Sequence, residues 1–324
     1  MRQINLAIIG LGPVVQFCHI PIILKNKKFK ISCIVDKDRK ILEDTANKFS
    51  IKNKFRNVKH LINKHAFYDA ILFALNPINS FEELKYLMKF KKPILLEKPG
   101  AISKKKISII LSLSEKKLCP IQVGYMKLYD KNLELLRKKI LKNTIHHIHV
   151  SSYGGKAFQK KFVKVKKNIK LNNLPQKIKN KEYYFKWLNT HSHALSYLNY
   201  IFEDLKVLHI FKYINKIVVL FKSKKNIIQF DSGFIFSKNW NEKINVKLQN
   251  NEIELVFAAN NTMNKSNKLY RKKNNQIELL KSHKISKTFE SQLQSFYNLN
   301  KNEKYLIDTK KNAFKVLETA EKIF

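Results

Sequence analysis

This chain of 324 residues is poor in cysteine, in arginine and in acidic side chains, and it lacks a long apolar run. Three cysteines, Cys18, Cys33 and Cys119, are too few and too scattered for a disulfide framework. No C-x-x-C spacing occurs, which argues against a structural zinc and for a reducing, cytoplasmic setting. No apolar stretch approaches the ~18–20 residues of a membrane span. The stretch INLAIIGLGPVV is broken by Gly10, Gly12 and Pro13, with Gln16 and His19 close behind and no small-residue cleavage site, so it does not read as a secretory signal. A soluble protein is expected. The motifs G-x-S-x-G, H-E-x-x-H and G-x-x-x-x-G-K-[ST] are absent as well, so serine-hydrolase, zincin and P-loop chemistry have no support.

Acidic residues number 24 against 64 basic ones, a formal charge of +40. Such a charge suggests nucleic-acid binding. Only five of the basic residues are Arg, however, although Arg is the preferred reader of phosphates and bases. The lysines are also dispersed along the whole chain among Asn and Ile. No nucleic-acid partner is therefore expected, while the positive field favours arrival of an anionic substrate or cofactor.

What the chain does have is a hydrophobic fraction of 44%, enough for a globular core. Strand-like runs at 3–9, 30–36, 70–76, 93–97 and 120–125 alternate with helical patterns as far as about residue 142. The runs are nearly continuous in apolar residues, as in parallel strands covered on both faces. The expectation is α/β: βαβ units around a doubly wound parallel sheet over 1–125. After about residue 143 the pattern changes. A strand at 145–154, a Lys-rich stretch to about 182, a helix near 190–202, strands at 216–222, 226–236, 243–249 and 252–258, and closing helices at 288–299 and 309–323 predict an α+β domain over 126–324 with a mainly antiparallel sheet. The last helix is expected to be able to pack back on the first domain.

Three features in the first half suggest chemistry. Gly10-Leu11-Gly12-Pro13-Val14-Val15 falls between the first strand and the first helix, where a glycine turn lets backbone approach a pyrophosphate and a helix N-terminus favours its charge. The pattern is G-x-G-x-x-V, and a plain turn accounts for a bare G-x-G equally well. Asp36 ends the second strand, where a carboxylate accepts from ribose hydroxyls and favours NAD; it is also placed to cap the next helix. Lys37 beside it keeps NADP possible. Leu75, Asn76 and Pro77, and Glu97 and Lys98, fall at the ends of the third and fourth runs, at the carboxyl ends where ligands of such sheets collect. Pro99 holds Lys98 in an extended conformation. A lysine so fixed can move the proton of a carbonyl/alcohol pair if burial or a neighbouring cation lowers its pKa.

The succession GLGPVV, IVD, ALNP, EKPGA and VGYMK resembles the glucose–fructose oxidoreductase / inositol dehydrogenase (Gfo/Idh/MocA) family, and the similarity continues to TFESQLQSFYNL and DTKKNAFKVLETAEKIF at the end of the chain. The resemblance implies a Rossmann domain followed by an α+β domain with an open sheet. It also implies an NAD(P)-dependent dehydrogenase or reductase transferring hydride between nicotinamide and a CH–OH or carbonyl carbon of a sugar, cyclitol or nucleotide-linked sugar. It makes Lys98 catalytic. It sets His193 in WLNTHSHALSYLNYIF at the family's second catalytic position, with Asn189 where many members have Asp, four residues earlier and on one helix face. Phe81 stands where the family often has His, and Leu128 where it often has Arg. Tyr125, Lys127 and His191 are the expected substrate contacts, and a homo-dimer or homo-tetramer is the expected assembly. The three departures leave a non-catalytic dinucleotide-binding regulator as an alternative, with a redox-assisted glycosidase as another. His146, His147 and His149 form HHIH, but alternation on a strand turns His146 away from the other two, so no metal is expected.

Overall fold

The computed structural model describes residues 3–62, 68–154, 173–202, 204–224, 226–235, 240–259, 262–301 and 307–324. Much of the Lys-rich stretch, 155–172, lies outside the described residues. The described strands are β1 Ile4–Ile9, β2 Phe29–Val35, β3 Lys54–Phe55, β4 Ala70–Phe73, β5 Ile94–Leu96, β6 Ile121–Val123, β7 Ile145–Gly154, β8 Lys206–Lys212, β9 Lys216–Ser223, β10 Asn226–Phe234, β11 Asn241–Leu248, β12 Glu252–Phe257, β13 Ser266–Lys273 and β14 Gln276–Lys284. The α-helices are α1 Ile20–Lys25, α2 Arg39–Lys48, α3 Val58–Ile62, α4 Phe81–Leu87, α5 Lys104–Lys116, α6 Lys131–Lys142, α7 Lys181–Ile201, α8 Ile285–Asn300 and α9 Thr309–Ile323, with a π-turn at Val15–His19 directly before α1. None of them is long and apolar enough to cross a membrane. The chain divides into two compact units: Met1–Tyr125 with Lys167–Lys181 and Phe289–Leu317, and Met126–Lys166 with Glu182–Thr288 and Glu318–Phe324.

The first unit holds a six-stranded sheet in the order β3-β2-β1-β4-β5-β6, parallel throughout. Every residue of β4, β5 and β6 is buried, which is why these strands read as unbroken apolar runs. Helix starts follow local chemistry. Asp38 caps α2 by accepting from Ile41 N–H, and Ser103 caps α5 by accepting from Lys106 N–H. Residues 289–301 and 307–317 pack on this sheet. Phe29 stacks on Phe296 and meets Tyr297 edge-on, Gln122 Nε2 donates to the Gln292 carbonyl at 3.0 Å, and Val123 N–H donates to Thr309 Oγ1 at 2.9 Å.

The second unit holds an eight-stranded sheet, order β14-β13-β12-β11-β7-β10-β9-β8, antiparallel except for the β7–β10 pair. Burial alternates along β9, β11 and β12: Ile217, Val219, Phe221, Ile244, Val246, Ile253 and Leu255 point inward. Helix α7 is buried along most of its length, and Trp187 Nε1 donates to Ser232 Oγ at 2.9 Å. It begins nine residues before the expected 190, because the buried aromatics Tyr184, Phe185 and Trp187 already belong to its apolar face. Strands β8, β13 and β14 are additions to the expected set. Their residues are mostly exposed and Lys-rich, so little apolar alternation marks them. The β13–β14 hairpin turns at Asn274-Asn275, both with positive φ, the signature of a tight primed turn.

Candidate active site

In the first unit the carboxyl edge of the sheet is built by a row of short backbone bonds. Gly10 N–H donates to Val35, Ala74 N–H to Ile9, Glu97 N–H to Phe73 and Gly124 N–H to Leu96, at 2.7–2.8 Å. The residues after each strand end therefore share one rim: Gly10 to Pro13, Asp36, Leu75 to Pro77, and Glu97 with Lys98. The strand order reverses at β1 and β4, the place where ligands of open parallel sheets bind.

Gly10 is dictated by this packing. Its φ is +90°, and a Cβ there would lie 2.8 Å from the Ala74 carbonyl carbon. Gly12 differs: a Cβ would meet nothing within 4 Å, so the turn faces open space. Helix begins immediately beyond, and Val15 and Gln16 N–H groups both close on the Gly12 carbonyl. Val15 is fully buried; Pro13 is partly exposed and Val14 exposed. Asp36 Oδ2 accepts from Leu11 N–H at 2.8 Å and Oδ1 accepts from Asp38 N–H at 3.0 Å. Asp38, not Asp36, caps α2. The Asp36 carboxylate thus stands beside the glycine turn, and each of its oxygens has further accepting capacity. An open, glycine-lined turn next to a part-exposed carboxylate fits a dinucleotide: the turn for the pyrophosphate, Asp36 for the adenosine ribose. Lys37 beside it is exposed, and Asn76 Oδ1 accepts from Ile78 N–H at 3.0 Å.

Glu97 and Lys98 follow β5, both part-buried, and the Lys98–Pro99 bond is cis. Gly100 N–H donates to the Glu97 carbonyl at 3.1 Å and closes the turn. Glu97 Oε1 lies 2.8 Å from His19 Nε2, so the ring carries a proton on that nitrogen and donates it. Both side chains are nearly buried, and Phe289 packs edge-on against the imidazole, its centroid 5.3 Å away. His19 went unread in the sequence because its partner lies 78 positions away; its placement on the helix after the glycine turn was the only available signal. Beside this turn Phe73, Leu75, Phe81, Glu97, Gly100 and Lys106 line a crevice of about 10 Å³. Burial lowers the pKa of Lys106, and attraction to Glu82 opposes it; its ammonium stands 5.6 Å from the Phe81 ring centroid.

In the second unit α7 carries Asn189, exposed, and His193, buried, one helical turn apart on one face. His191 is fully buried against Trp187, and its Nδ1 is 2.9 Å from Ser152 Oγ. Lys127 is also buried, its ammonium 2.6 Å from Glu242 Oε2 and 4.5 Å from the Phe257 ring centroid. Tyr125, in the first unit, is fully buried with its hydroxyl 3.5 Å from the Pro99 carbonyl. His147 and His149 share a face of β7, their ring centroids 6.4 Å apart.

The topology and the turn are those of an NAD(P)-binding Rossmann domain. Residues 4–125 match the model of the Gfo/Idh/MocA family, described as "Oxidoreductase family, NAD-binding Rossmann fold", and this domain belongs to that family. No curated protein sequence matches the chain. Solved structures share the fold over nearly the whole length. A dehydrogenase (MviM) from Clostridium difficile has a TM-score of 0.79 at 17% identity, covering 99% of both chains. A 3-ketoreductase from Actinomadura kijaniata in complex with NADP and TDP-benzene has a TM-score of 0.78 at 10% identity, covering 99% of this chain and 97% of its own. A Gfo/Idh/MocA family oxidoreductase from Vibrio cholerae has a TM-score of 0.73 at 14% identity, with 99% and 97% covered. At these identities the likeness is one of fold.

Proposed function

We propose that the protein is an NAD(P)-dependent oxidoreductase acting on a hydroxyl or carbonyl carbon of a sugar, cyclitol or nucleotide-linked sugar. The observation that carries this reading is the shared rim of the first unit: the open Gly10–Pro13 turn, Asp36, and the part-buried Lys98 held in a closed turn at the end of β5. Bound NAD(P) supplies a hydride donor or acceptor. Gly10, Leu11, Gly12, Pro13, Val14 and Val15 cradle its pyrophosphate, Asp36 and Lys37 flank its ribose, and Leu75, Asn76, Pro77 and Glu97 line the remaining rim. Lys98 gives or takes the proton of the substrate oxygen. His193 assists and Asn189 orients substrate as a donor and acceptor that does not itself carry a proton away. Tyr125, Lys127 and His191 shape the substrate region from their buried positions.

The likeness to a 3-ketoreductase solved with TDP-benzene makes nucleotide-linked keto-sugars the first class to screen. The net charge of +40 favours an anionic substrate of that kind. A homo-dimer or homo-tetramer is the proposed assembly. The purified protein should alter nicotinamide fluorescence on binding NADH or NADPH. Lys98→Ala should retain that binding and lose turnover; full turnover by Lys98→Ala would remove lysine from the mechanism.

A second reading, a dinucleotide-binding regulator without turnover, is favoured by Asn189, Phe81 and the buried Leu128 at positions where the family often carries Asp, His and Arg. Cofactor binding without cofactor consumption across the whole substrate panel would select it.

A further inference from the structure

We propose that His19 is a positioning residue that sets the Lys98 turn by clamping Glu97, a role that rests on the reading of Lys98 as the acid/base group. The backbone on either side of Glu97 is already committed. Its N–H donates to the Phe73 carbonyl at 2.8 Å, and its carbonyl accepts from Gly100 N–H at 3.1 Å. The side chain is the remaining freedom, and two contacts remove it. His19 Nε2 donates to Oε1 at 2.8 Å. On the other side Gly124 presents bare Cα, and a Cβ there would stand 3.0 Å from the same Oε1 and 3.3 Å from the Glu97 Cα.

The clamp is built into the core. His19 and Glu97 side chains are 5% and 11% exposed, and Phe289 backs the imidazole. A carboxylate this buried needs a donor, because an unmade bond to a charged group is costly. The charge is felt nearby: the Cys18 thiol is pushed up to about 12, by burial first and by Glu97 second. His19 also closes the π-turn Val15–His19 that leads directly from the glycine turn. One helix therefore carries the phosphate-binding bend at its start and, less than two turns later, the group that fixes the residue before Lys98. A site residue is only as well placed as the shell that holds it.

The test is competitive trace acetylation of the apoprotein, with the labelling of Lys98 read by peptide mass spectrometry against the exposed Lys37. His19→Leu removes the donor, His19→Gln restores an N–H near the same place, and Gly124→Ala crowds Glu97 without touching His19. Relative labelling of Lys98 should rise about tenfold in His19→Leu and Gly124→Ala, the scale set by one charge-assisted hydrogen bond, and stay within about twofold of wild type in His19→Gln. Equal labelling in the Leu and Gln variants overturns the proposal. Should His19→Leu fail to fold, wild-type labelling in Gly124→Ala overturns it just as well. Titration of the wild type with NADH and NADPH is read separately: absence of binding removes the oxidoreductase reading and leaves the acetylation comparison standing.

Discussion

Lys127 Nζ lies 2.6 Å from Glu242 Oε2 with both side chains 1% exposed, a fully buried ion pair inside the second unit. Trp240 Nε1 donates to the same carboxylate at 2.9 Å. Burial lowers the pKa of Lys127 and the attraction of Glu242 opposes that shift. Taking two charges out of water costs about as much as their pairing returns, whereas removing one partner strands the other.

The expected outcome is therefore asymmetric. Lys127→Met should destabilise the protein by about 3–5 kcal/mol, because the Glu242 carboxylate is left buried and unpaired. Lys127→Met with Glu242→Gln should recover most of that loss, since Gln still accepts from Trp240. Urea unfolding of the wild type, both single variants and the double variant closes the cycle. Additive losses in the double variant would show that the pair is not coupled.

The parts of this molecule legible in its sequence are those whose chemistry is local. Strands β4 to β6 print as apolar runs because both their faces are covered, and the glycine turn, Asp36 and Glu97-Lys98-Pro99 each sit at the end of such a run. The parallel sheet and the mainly antiparallel one follow from these patterns. Glu242 was not legible as a partner of Lys127, nor His19 as a partner of Glu97, because contacts over 78 positions or more leave no spacing to read. Strands β13 and β14 were missed for another reason. Their exposed Lys-rich faces give no hydrophobic period, and only the Asn274-Asn275 turn marked them.

Asp36 bonds to Leu11 N–H at 2.8 Å, so it both shapes the glycine turn and supplies the negative charge beside it. Two substitutions separate these roles. Asp36→Ala loses the acceptor and should weaken NADH binding by about tenfold or more, the scale of a hydrogen bond to a charged group. Asp36→Asn keeps an acceptor oxygen but not the charge, and should shift preference toward NADPH by lifting repulsion of a 2′-phosphate. Fluorescence titration with both cofactors decides it. An unchanged NADPH/NADH affinity ratio in Asp36→Asn would mean the carboxylate does not face the ribose.

The three thiols are buried and held protonated. Cys18 and Cys119 are each pushed up to about 12 and Cys33 to about 11, in each case chiefly by burial. Glu97 adds to the shift at Cys18, while the Ser32 hydrogen bond at Cys33 and Lys117 near Cys119 oppose it. Only a thiolate attacks a disulfide reagent, so native protein at pH 8 should react very slowly, and all three thiols should react once the chain is unfolded. The linkage has a definite sign. Between about pH 9 and 12 the unfolded chain releases thiol protons that the folded chain keeps. The stabilisation from these groups is therefore complete below about pH 9 and lost as the pH rises through that window. Thiolate absorbance should rise near pH 11–12 in the native protein and near 9 in denaturant. Rapid labelling of Cys18 at pH 8 without unfolding would show that the helix after the glycine turn opens far more readily than its packing against Glu97 allows.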